Sequence, residues 1–228
     1  MPAVLGAIGA AAPAPTTFPG LMSAVWQWIQ RGYIRLVSPV ADWLVKRGVK
    51  PNTITTTGLF CTIAAGVTFA SGHISIGGWI LSVTAVFDVL DGMVARRGGL
   101  ESKFGAFYDS TLDRIADGAV LGGFTVFWAS GTARHSLAMV VVCLFAIVGS
   151  YLTSYTRARA EGLGLDARVG LVQRPERIVL MAAPQALFGL AFDGLVLKAI
   201  VTLLAVTSWI TVFQRIAYVR RATAEAAR

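Results

Sequence analysis

Residues 88 to 113 read DVLDGMVARRGGLESKFGAFYDSTLD, and they put four carboxylates, Asp88, Asp91, Asp109 and Asp113, into segments otherwise apolar enough for a membrane. Asp88 and Asp91 are three residues apart, and Asp109 and Asp113 are four apart. On helices each pair therefore presents both acids on one face. The turn RRGGLESK between them makes a helical hairpin that can bring the two faces together. Left uncompensated, four carboxylates at membrane depth are costly through desolvation and mutual repulsion alike. Arg96 and Arg114 offset part of that charge, but hard divalent cations held by oxygen ligands suit such a cluster better.

The rest of the chain sets the class. Of 228 residues, 55% are hydrophobic and only 14% charged, with a mean hydropathy of +0.66, which favours a membrane protein over a water-soluble globule. The net charge of +8 is then read as the basic excess of cytoplasmic segments, and nucleic acid is not an expected partner. Cys61 and Cys143 fall in separate apolar runs, which suggests small buried hydrophobes and neither a disulfide framework nor a cysteine metal site.

Residues 1–20 lack a basic leading region and are expected to form a flexible tail. Residues 21–50 alternate Trp26, Ile29, Leu36, Val40 and Trp43 with Gln27, Arg31, Arg35, Asp42 and Lys46, the pattern of an amphipathic juxtamembrane helix, broken or bent near Pro39. Six apolar segments follow, at 53–71, 77–96, 105–130, 136–158, 176–192 and 195–217. The expected fold is thus an all-α integral membrane protein of six transmembrane helices, with a membrane domain over 51–221 and a short tail at 222–228. If the chain enters from the cytoplasm, only Arg134 and Lys198 of the twenty basic residues lie near external ends. That asymmetry predicts a multi-pass protein of the cell membrane with both termini and the acid hairpin on the cytoplasmic side. His73 and His135 fall outside, away from the acids, and are not candidate bases.

The spacing D-x2-D-G-x2-A-R-x8-G-x3-D-x3-D is met in full by Asp88, Asp91, Gly92, Ala95, Arg96, Gly105, Asp109 and Asp113. This pattern resembles the signature of the CDP-alcohol phosphotransferases, membrane enzymes that join a CDP-activated group to an alcohol. The resemblance covers most of the chain. It implies that Asp88, Asp91 and Asp109 hold two divalent ions, usually magnesium with manganese as the alternative, and that Asp113 both joins the metal site and serves as general base. It also points to Asn52, Thr55, Gly92, Arg96, Ser102 and Gly105 for the cytidine nucleotide. Pro51, Asn52 and Thr53 are equally good helix-start residues, so capping is the competing account of Asn52 and Thr55.

Which alcohol is accepted turns on basic residues outside the motif. The stretches SYTRARAEGLGL, QRPERIVL and FQRIAY look like the phosphatidylinositol-phosphate synthase branch of the family. That resemblance implies CDP-diacylglycerol and inositol phosphate as substrates, with Arg157, Arg177 and Arg215 on the acceptor phosphate; guanidinium suits phosphate oxygens bidentately. Arg159 and Arg174 are read more as headgroup anchors or helix-end charges. Another acceptor, as in phosphatidylglycerol-phosphate synthesis, remains the alternative within the family. A prenyltransferase fits less well, lacking the Gly, Ala and Arg between the acids, and a divalent-cation transporter would place carboxylates nearer the bilayer midplane. Gly118 and Gly122 form a GxxxG pair for close helix packing, and the family resemblance implies a homodimer.

Overall fold

In the computed structural model, residues 21–131, 134–172 and 174–226 are described, and the tail expected at 1–20 lies outside them. They form α1 (Leu21–Lys46), α2 (Pro51–Ala70), α3 (Ile74–Gly98), α4 (Lys103–Ala129), α5 (Leu137–Glu161), α6 (Arg174–Phe188), a 3-10 turn (Ala191–Gly194) and α7 (Leu195–Ala226). Among the described residues the fold is all-α, as the hydropathy pattern predicts.

The span count differs from expectation. Among the described residues four helices, not six, are long and apolar enough to cross a membrane: Pro51–Ala70, Ile74–Gly98, Leu137–Glu161 and the stretch Ala191–Ala224. The apolar segments at 105–130 and 176–192 fail for different reasons. α4 has the length, but Lys103, Asp109, Asp113, Arg114 and Asp117 crowd its first half and make its lipid burial expensive. α6 has 15 residues, so it rises only about 22 Å against a hydrocarbon core of roughly 30 Å, and it carries Arg174, Glu176, Arg177 and Pro184. Counting apolar runs treated both as spans because hydropathy averages the charges of each run with its apolar remainder.

Local chemistry explains the ends that matter for the site. Pro51 opens α2 after an extended Lys50, and no side chain caps that helix among the described residues, so capping does not account for Asn52. α3 ends where Gly99 turns left-handed at φ 63°, its N–H and that of Leu100 returning to the last turn. The Ser102 hydroxyl then accepts the Gly105 N–H at 2.9 Å and starts α4. These two devices make the sharp hairpin between the acid pairs. α1 continues through Pro39 and is tied to α3 by Arg97, which pairs with Asp42 at 2.6 Å and donates to Ser38.

α2 packs on α3 and α4, α3 on α6, and α5 on α4 and α7. The larger of two core clusters lies in the half of the bundle remote from the hairpin, where Phe69, Phe124, Phe127, Trp128, Leu197 and Val201 are buried and Phe69 meets Phe124 at 4.5 Å between ring centroids. Small residues set the closest approach. A methyl added at Gly66 would strike the Ala119 carbonyl, and one at Gly123 would strike the Gly66 carbonyl, so α2 and α4 touch backbone to backbone. The GxxxG pair divides its roles: Gly118 lies against the Tyr151 hydroxyl, whereas Gly122 faces open space. Phe60, Trp79, Val83, Phe145 and Phe213 point outward, the arrangement of a bundle whose solvent is lipid.

Candidate active site

Consecutive residues of α2 bind both arms of the hairpin. The Thr55 hydroxyl donates to the buried Asp91 carboxylate at 2.8 Å, and Thr56 meets the Tyr108 hydroxyl of α4 at 2.9 Å. Asp88 and Asp113 are bridged by one guanidinium: Arg174 Nη1 lies 2.9 Å from Asp88 and Nη2 2.5 Å from Asp113. Arg114 stands 3.6 Å from Asp113 and donates to the Ser154 hydroxyl. Arg174, at the first turn of α6, is thus the counter-charge that joins the two acid pairs, a part the sequence reading gave to headgroup anchoring.

Two cavities flank α4. The smaller, of about 250 Å³, is lined by Asn52, Thr55, Gly92, Arg96, Ser102 and Gly105 together with Asp91 and Asp109. All six residues expected around a nucleotide therefore face one space. Its two glycines keep it open: a methyl on Gly92 would come 3.1 Å from the Arg96 guanidinium, and one on Gly105 would come 3.0 Å from Ser102 Oγ and 3.6 Å from Asn52 Oδ1.

The larger cavity, of about 660 Å³, is walled by α4, α5, α6, α7 and the segment before α6, and Asp113, Arg157, Arg177 and Arg215 all line it. Arg114, Arg168 and Arg174 line it too, so sequence reasoning undercounted its positive charge. Ala106 borders both cavities. Asp109 opens on the smaller and Asp113, one helical turn on, opens on the larger.

The expected phosphate arginines differ in how they are held. Arg157 is exposed and paired with Glu161 at 2.9 Å. Arg215 spends its donors on the carbonyls of Val169, at 3.0 Å, and Thr153. Arg177 is buried, donating to Ser150 at 2.8 Å with Asp117 at 3.6 Å. Asp117 itself escaped the sequence reading, although it follows Asp113 at the same four-residue interval that marks Asp109 and Asp113.

As they stand, no three of these carboxylates come close enough to hold an ion among the described residues, and Asp88 and Asp113 are both paired with Arg174. The donor set nevertheless fits a hard divalent cation, since it offers carboxylate oxygens alone and its acids outnumber the guanidiniums that touch them.

Comparison with known proteins is consistent with this geometry. Residues 49–218 match the family model for CDP-alcohol phosphatidyltransferase. The phosphatidylinositol phosphate synthase of Streptomyces avermitilis is 38% identical over 201 residues, 85% of this chain and 82% of that protein. The crystal structure of Mycobacterium tuberculosis phosphatidylinositol phosphate synthase with CDP-DAG bound is 34% identical with a TM-score of 0.74, covering 81% of this chain and 94% of that one. The same enzyme in complex with manganese and citrate aligns with a TM-score of 0.72 at 34% identity, over 80% of this chain and 88% of that one.

Proposed function

Because this chain belongs to the CDP-alcohol phosphatidyltransferase family of multi-pass membrane enzymes, we propose that it transfers the phosphatidyl group of CDP-diacylglycerol to inositol phosphate, releasing CMP. The observation that carries this reading is the pair of cavities meeting at α4, one walled by the motif and the other by arginines.

In the reaction an acceptor hydroxyl oxygen bonds to the phosphorus that bears the diacylglycerol, and the bond from that phosphorus to the CMP oxygen breaks. Asn52, Thr55, Arg96 and Ser102 hold the cytidine end, with Gly92 and Gly105 leaving it room. Asp113 faces the acceptor's cavity and takes the hydroxyl proton. Arg157, Arg177 and Arg215 fix the acceptor phosphate, so that the hydroxyl meets the phosphorus in line. Asp88, Asp91, Asp109 and Asp113 would hold two divalent ions, magnesium or manganese, which when bound supply charge stabilisation to the diphosphate.

Both acid pairs sit at the end of the bundle where Lys46, Arg47, Lys50, Arg96, Arg97 and Lys103 gather, which supports a cytoplasmic active site with both termini on that side. The family resemblance supports a homodimer, and the enzyme is proposed to act as one on that ground. Purified protein with CDP-diacylglycerol and magnesium should release CMP with inositol phosphate and hardly at all with inositol or serine, because an arginine-lined pocket left without an anion holds mutually repelling charges. Preference for glycerol 3-phosphate would overturn the acceptor and leave the motif chemistry standing.

A further inference from the structure

Asp117 lies one turn beyond Asp113 on α4, away from both large cavities, and is buried to 4% exposure. A carboxylate there is costly unless paired, and its neighbours supply the pairing. The Ser150 hydroxyl on α5 donates to Asp117 Oδ2 at 2.8 Å. The same hydroxyl oxygen accepts from Arg177 Nη1 at 2.8 Å, and Arg177 Nη2 lies 3.6 Å from Asp117 Oδ2. The two hydrogen bonds run in one direction, from Arg177 through Ser150 to Asp117, and the ion pair closes the triangle, while Arg177 Nε stays buried with no hydrogen-bond partner. Leu121, Ala146, Met181 and Leu204 surround it, and so apolar a setting strengthens each contact.

Arg177 reaches from this triangle to the wall of the 660 Å³ cavity, whereas Asp117 does not line that cavity. Arg114 and Arg174 share the same wall and repel the Arg177 guanidinium. Without a fixed negative partner, a buried guanidinium among like charges adopts no single direction. We propose that Asp117, working through Ser150, is a positioning residue that holds Arg177 toward the acceptor phosphate and so sets affinity for the phosphorylated alcohol. The proposal rests on the reading of Arg177 as an acceptor ligand.

The test is the steady-state kinetics of Asp117→Asn, Arg177→Gln and the double variant, with inositol phosphate and CDP-diacylglycerol varied separately. Asp117→Asn keeps the shape and removes the charge, and it should raise KM for inositol phosphate on the order of tenfold while moving KM for CDP-diacylglycerol less than about twofold. The double variant should be no worse than Arg177→Gln alone, because residues acting as one unit are not additive. If both substrates' constants rise together, or the two losses multiply, Asp117 is merely structural and the proposal is overturned. An unmoved constant in Asp117→Asn beside a raised one in Arg177→Gln also overturns the positioning role, and it alone. Should Arg177→Gln leave the inositol phosphate constant unmoved, the acceptor reading itself falls, and this proposal with it. If Asp117→Asn does not purify as a folded species, Ser150→Ala breaks the same triangle and is held to the same split.

Discussion

The two cavities beside α4 are built in opposite ways. The smaller one draws most of its lining from one hairpin, residues 91–109, with Pro51, Asn52 and Thr55 added from α2. The larger one gathers side chains from α4, α5, α6, α7 and the segment before α6, spread from Ala106 to Arg215. The first is shaped by glycines and short polar side chains, the second by long guanidiniums. Chemistry common to a whole family can be written in one contiguous stretch, whereas the proposed acceptor site is distributed over elements that meet only in the folded bundle.

The contrast has measurable consequences. The largest should come from the acids at the junction: Asp91→Ala removes a buried carboxylate that Thr55 orients and should abolish both magnesium-dependent CDP-diacylglycerol binding and CMP release. Asp113→Asn should lower kcat by roughly 10²–10⁴ while CDP-diacylglycerol binding, followed by calorimetry or fluorescence, is retained. Binding lost in parallel would put Asp113 in the nucleotide half and break the division. Next in size, Arg177→Gln should raise KM for inositol phosphate by roughly 10–100-fold, the value of about 2 kcal/mol for a charged hydrogen bond, with little change for CDP-diacylglycerol.

Gly105→Ala should do the converse, raising KM for CDP-diacylglycerol by roughly fivefold as the added methyl presses on Ser102 and fills space beside Asn52. A matching rise for inositol phosphate would show that the cavities are not independent. The smallest effect belongs to Arg157→Gln, about threefold on inositol phosphate, because that side chain is exposed and already paired with Glu161.

How much could be read from the residues alone follows the same line. The helical class, the hairpin and the motif were legible because they rest on spacing within a short stretch, and Ser102 and Gly99 are ordinary helix-start and helix-stop signals. The span count was not, because hydropathy averages over a window: α4 keeps its charges in its first half, and α6 stops at Phe188, short of a membrane's thickness. Arg174 looked like a helix-end charge, and only the approach of α6 to α3 shows it bridging Asp88 and Asp113. Asp117 carried a visible signal, its interval from Asp113, but its partners Ser150 and Arg177 lie 33 and 60 residues away in the chain and no local pattern names them. The close contact at Gly123 was equally hidden, since a GxxxG pattern marks Gly118 and Gly122 while the facing helix selects Gly123.

The meeting of Gly66 and Gly123 has a mechanical meaning. It fixes the crossing of α2 and α4 at one point, and from that point both helices run to the reaction centre as lever arms. At the rise of an α-helix, Asp109 stands roughly 21 Å along α4 from Gly123, and Thr55 about 16 Å along α2 from Gly66. An error of three degrees in the crossing angle would carry Asp109 by about 1 Å, roughly twice the misplacement that a reacting constellation tolerates. Two residues with no side chain, in the half of the bundle remote from the acids, therefore set the tolerance to which Asp109 on α4 and Thr55 on α2 are aimed.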